Sequence, residues 1–66
     1  MKMLKDIKII AFPENGIARA EGETAEGMLF MKRQYDRLDA EIIADNVNIF
    51  LDALRGEGLT YTFKAF

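Results

Sequence analysis

Ile7-Lys8-Ile9-Ile10-Ala11-Phe12-Pro13-Glu14-Asn15-Gly16-Ile17-Ala18-Arg19-Ala20-Glu21 is the stretch whose reading decides the fold. Its first half is rich in β-branched side chains, which suit a pleated, half-buried surface. Pro13 presets a turn φ and Asn15-Gly16 tolerates positive φ, so Ile17 to Glu21 returns as a second strand. The stretch predicts a β-hairpin over about residues 5–21. With Pro13–Gly16 as the loop, Phe12 faces Ile17, Ile10 faces Arg19, and Lys8 faces Glu21. Ile7, Ile9, Ala11, Ala18 and Ala20 then share one face, where the small alanines let a helix approach closely; this face is assigned to the core. The opposite face carries Ile10, Phe12 and Ile17 beside a Lys8–Glu21 pair, and is too apolar for an ordinary solvated face.

Beyond the hairpin, Gly22, Glu23 and Thr24 break the pattern, with Thr24 a candidate N-cap and Glu26 suitably placed for the helix dipole. Met28, Met31, Tyr35, Leu38, Ile42 and Ile49 recur near the helical period, predicting helix over about 25–55. A second stripe of Ile43, Val47, Phe50, Leu51 and Leu54 makes the distal half apolar over roughly 200°, where a one-sided helix needs only about 100°. Gly56 and Gly58 close the helix, with Arg55 at its negative end. Leu59, Tyr61 and Phe63 alternate with Thr60, Thr62 and Lys64, a half-buried strand over about 59–65.

The expected fold is therefore α+β: a single β-β-α-β domain over residues 1–66, in which the hairpin plus a C-terminal strand form a three-stranded antiparallel or mixed sheet against one long helix. The first strand is expected to be central and the last to pair antiparallel to it. One length check resists this picture. A helix of that span is about 46 Å long, whereas seven-residue strands span only about 23 Å. Three readings reconcile the lengths: a break near Asp45-Asn46, an additional strand at 28–32, or a helix that overhangs the sheet.

Composition limits the chemistry. The 66 residues include neither His, Cys nor Trp, and Ser is also missing. Disulfides, thiolate and imidazole metal sites and the commonest nucleophiles and bases are thereby excluded. The formal net charge is −2, which disfavours non-specific nucleic-acid binding. No apolar run reaches the roughly 20 residues of a membrane span, and no signal-peptide pattern is expected despite Lys2 and Lys5. A soluble cytoplasmic protein without cofactor, metal or membrane partner is the expectation. A core this small rarely nets more than about 3–5 kcal/mol, which favours self-association.

Charge is unevenly distributed. Lys2, Lys5, Lys8 and Arg19 outnumber the acids of the first 19 residues, while Asp36, Asp39, Glu41, Asp45, Asp52 and Glu57 face only Arg37 and Arg55. On a continuous helix Glu41, Asp45 and Asp52 fall on one stripe, a solvated face or an acidic ridge that docks a basic surface. They match no EF-hand loop, and carboxylates strung along one stripe do not form a cage. Asp36 with Asp39, or Glu41 with Asp45, supplies paired carboxylates without an evident cleft, so no enzymatic activity is expected. The glycines match neither a P-loop nor a dinucleotide fingerprint and read as punctuation.

The functional expectation is a small acidic protein–protein interaction module, a regulator or inhibitor of a larger partner and a candidate homodimer. Its apolar contacts are assigned to Ile10, Phe12, Ile17, Val47, Phe50, Leu51 and Leu54, and its acidic ridge to Glu41, Asp45 and Asp52. Small acidic accessory proteins, phage inhibitors among them, share this physical description as an analogy only. The alternatives are a structural subunit of a larger assembly, joined through unpaired sheet edges, and a nucleic-acid-binding protein using the hairpin and Lys32-Arg33. A small-molecule ligand is not expected.

Overall fold

A computed structural model describes residues 4–66; Lys2, counted above in the basic N-terminal segment, lies outside the described residues. The hairpin forms as read. Strand β1 (Ile7–Phe12) and strand β2 (Ile17–Gly22) are joined by a single 3₁₀ turn, Pro13–Asn15. Gly16 closes that turn at φ 67°, donating its N–H to the Pro13 carbonyl, a left-handed position that glycine occupies without steric cost. The antiparallel register pairs Phe12 with Ile17, Ile10 with Arg19 and Lys8 with Glu21. Ile7, Ile9, Ala18 and Ala20 are buried and Ala11 packs against them, so the core face is the one that the alternation assigned.

Past Gly22 the single long helix gives way to three elements: helix α1 (Ala25–Tyr35), strand β3 (Asp39–Ile43) and helix α2 (Val47–Gly56), before strand β4 (Tyr61–Ala65). The length conflict is resolved by this division: no element approaches the roughly 46 Å of a continuous helix, and the longest extent of the fold is 32 Å. Helix α1 starts at Thr24, whose Oγ1 accepts the Gly27 N–H at 3.1 Å. It stops at Asp36, which takes the left-handed conformation at φ 58° while its N–H still reaches the Lys32 carbonyl. The chain then turns through Arg37 and Leu38 and pairs β3 antiparallel with β2. The additional strand is thus real but lies at 39–43, not 28–32. Its alternation of Asp39, Glu41 and Ile43 against Ala40 and Ile42 is short, and Ala and Glu are good helix formers, so local preference alone favours helix. Pairing with the open edge of β2 decides the matter.

Asp45-Asn46 does not interrupt a helix, as a break there would require: the pair lies in a 3₁₀ turn, Ala44–Asn46, that joins β3 to α2, and neither side chain caps the helix. The final topology is a four-stranded mixed sheet in the order β3-β2-β1-β4. Strand β1 has a neighbour on each side, as expected, but β4 runs parallel to it, not antiparallel. The cause is β3 itself, which adds one reversal of chain direction between β2 and β4.

Both helices contribute to the core on one side of the sheet, where Phe30, Met31, Phe50 and Leu54 bury with Ile7, Ile9, Ala18, Ala20 and Ile42. Phe30 meets Phe50 edge to face, ring centroids 5.9 Å apart, and thereby joins the two helices. Gly27, read from sequence as punctuation, is a packing device: a Cβ there would overlap the Asp6 carbonyl. A Cβ on Gly22 would come within 2.7 Å of the backbone of Gly27 and Met28, so this glycine pair lets the first turn of α1 lie directly on the sheet.

Candidate interaction face

The helices leave the other side of the sheet without a covering layer among the described residues. Register places its side chains in three rows across the strands, each in the order β3, β2, β1, β4. The first is Asp39, Glu21, Lys8 and Thr62, and the second is Glu41, Arg19, Ile10 and Lys64. The third is Ile43, Ile17 and Phe12, extended by Phe66, whose N–H bonds to the Ala11 carbonyl and whose ring stacks on Phe12 at 5.7 Å. An apolar strip therefore crosses the whole sheet at the end nearest the hairpin turn. Its outer members are strongly exposed, Ile43 at 61% and Phe66 at 72%, while Phe12 and Ile17 are half-buried.

Ile10, Phe12 and Ile17 are thus brought together on one open face. Val47, Phe50, Leu51 and Leu54 are not part of it. Phe50 and Leu54 are core residues, with Val47 and Leu51 packed against the same cluster. Their wide apolar arc is consumed by the sheet on one side and α1 on the other. The acidic ridge is likewise dismantled, because its three members belong to three elements: Glu41 to β3, Asp45 to the 3₁₀ turn and Asp52 to α2. Glu41 lies 3.9 Å from Arg19, and Asp52 pairs with Arg55 at 2.8 Å.

Ile43 and Phe66 complete the strip, yet neither stands in the sequence-assigned contact set. Ile43 was hidden in a helical stripe, although the period-two pattern of Asp39 to Ile43 was available to place it on the same face as Glu41.

The basic cluster of Lys32, Arg33 and Arg37 is engaged within the chain. Lys32 pairs with Asp36 at 3.4 Å, Arg33 with Glu57 at 3.1 Å and Arg37 with Asp39 at 3.6 Å. A concavity of about 410 Å³ lies between α1, β3 and α2 and is lined by Tyr35, Glu41, Ile43, Ile49 and Phe50 among others. Burial raises the Tyr35 phenol above its ordinary pKa. Among the described residues lining this groove, Glu41 is the one carboxylate. Among the described residues, no group of three or more acidic, His or Cys side chains is arranged to hold a metal, and no helix is long and apolar enough to cross a membrane.

Comparison of the chain with protein-family models, curated proteins and solved structures finds no match.

Proposed function

We propose that this chain is a non-enzymatic protein–protein interaction module that binds through the open face of its sheet and regulates a larger assembly by occupying a surface. The observation that carries this reading is the continuous strip Ile43, Ile17, Phe12 and Phe66, which runs from β3 across β2 and β1 to the residue after β4 with no described element over it. A contiguous apolar patch of this kind marks an interface more often than scattered surface residues do. Flanking charges on the same face supply orientation and partner choice.

Phe12→Asp tests the reading, with Ile49→Asp as a control on α2, away from the sheet. Association of the immobilised protein, with itself or with proteins of a native lysate, is expected to be lost for Phe12→Asp and retained for the control. Circular dichroism verifies that both variants fold. Equal association by a folded Phe12→Asp variant overturns the proposal.

A further inference from the structure

Charge on the open face is antisymmetric across the sheet. On the β3–β2 side the carboxylates Asp39, Glu41 and Glu21 outweigh Arg19, which pairs with Asp39 at 3.2 Å and lies 3.9 Å from Glu41, while the β1–β4 side carries the lysines Lys8 and Lys64. Glu21 and Lys8 are register neighbours, yet neither takes part in an ion pair among the described residues, and Lys64 lies over the Phe66 ring at 5.6 Å.

A surface that carries opposite charge on its two halves complements itself under one rotation. Consider a two-fold axis parallel to the strands, lying above the junction of β1 and β2. It sets β4 of one copy over β3 of the other, and β1 over β2. Glu41 then meets Lys64 of the second copy, Glu21 meets Lys8 of the second copy, and each contact occurs twice. The apolar strip falls on its own reversed image, Phe66 over Ile43 and Phe12 over Ile17. Arg19 of each copy then lies over Ile10 of the other. A two-fold axis running across the strands at the middle row instead lays the whole strip over Asp39, Glu21 and Lys8, burying several charges against hydrocarbon, and one running along the strip leaves every charged row outside the contact.

We propose, resting on the interaction-face reading above, that the occupant of the open face is a second copy of this chain, packed sheet to sheet about the axis parallel to the strands. Packed sheets lie about 10 Å apart with strands inclined by about 30°. At edge strands roughly 7 Å from the axis this inclination displaces facing residues by only about 4 Å, within the reach of Lys and Glu side chains. An isologous two-fold contact requires such a self-complementary patch, and the chain's small core gives dimerisation a thermodynamic role.

Sedimentation equilibrium of the wild type, Glu41→Lys and Lys64→Glu tests the arrangement, both substitutions being at exposed positions. The wild type is expected to be a closed dimer. Each reversal alone places like charges opposite one another at two symmetric points and should weaken the dimer about tenfold or more at low salt. An equimolar mixture of the two variants should recover dimerisation, since each reversed charge then faces its complement. A monomeric wild type, growth beyond a dimer, or a dimer insensitive to both reversals overturns the proposal. A monomer whose capture of other proteins is lost in Phe12→Asp overturns only the second copy and leaves the interaction face standing. A dimer that survives both reversals and Phe12→Asp overturns both.

Discussion

The Asp6 carboxylate accepts the Thr24 hydroxyl at 2.5 Å, and that same hydroxyl accepts the Gly27 N–H at the start of α1. The other carboxylate oxygen accepts the Thr60 N–H at 2.9 Å and the Thr60 hydroxyl at 3.1 Å. One side chain just before β1 therefore holds the cap of α1 and the entrance to β4, two points far apart in sequence. Hydrogen bonds from Thr24, then from Thr60, keep the Asp6 pKa below the ordinary aspartate value despite some desolvation.

Asp6→Asn should therefore destabilise the fold by about 0.5–1.5 kcal/mol at neutral pH, because the amide has one acceptor oxygen where the carboxylate uses two and its NH2 would face a donor, while solvent access at Thr60 limits the loss. A depressed native pKa stabilises fully above the unfolded value of about 3.9 and is lost as pH falls through the lower, native one. Denaturant melts at pH 7 and near pH 2 should show the gap between wild type and variant closing at acid pH. A pH-independent gap would mean that the carboxylate's charge is irrelevant.

Gly27→Ala sets helix propensity against sterics. Propensity predicts stabilisation of about 1 kcal/mol at a helical position. The added Cβ, however, would collide with the Asp6 backbone, which cannot yield as a flexible side chain does. Overpacking should dominate, with a net loss of about 2–3 kcal/mol read from the shift of the urea midpoint.

Asp36→Gly should act in the opposite direction. Asp36 holds a left-handed conformation at the negative end of α1, and its side chain is 93% exposed in the pair with Lys32. Glycine relieves both the backbone strain and the unfavourable charge, for a gain of about 0.5–1 kcal/mol. In a domain of this size that is a rise of a few degrees in Tm.

Ile49 and Phe50 are sequence neighbours with opposite environments, 68% and 5% exposed. Phe50→Ala should cost about 3–5 kcal/mol, enough to unfold most of a domain this small. Ile49→Gln should change stability by no more than about 0.5 kcal/mol. Thermal melts of the two variants report directly on the rotation of α2 about its axis.

Residues 7–22 were legible almost completely, including the pairing of Phe12 with Ile17 and the division between an alanine-rich core face and an apolar outer face. Turn chemistry at Pro13–Gly16 fixes the register, and a period of two then assigns every side chain to a side. Thr24 as a cap and β4 as a strand followed from equally local signals. Residues 36–46 were different. Asp39 to Ile43 fits a helical stripe nearly as well as an alternating strand, and the outcome depends on whether a partner edge is available. Tertiary pairing with β2 made it a strand, and with that it reversed the direction of β4, scattered Glu41, Asp45 and Asp52 over three elements, and turned Phe50 and Leu54 into core. The sequence by itself determined the hairpin and its two faces, because backbone preference and side-chain alternation act over a few neighbouring residues. Which surface stays open was decided by the tertiary structure, since covering one sheet face with both helices is a choice among long-range contacts that no short window contains.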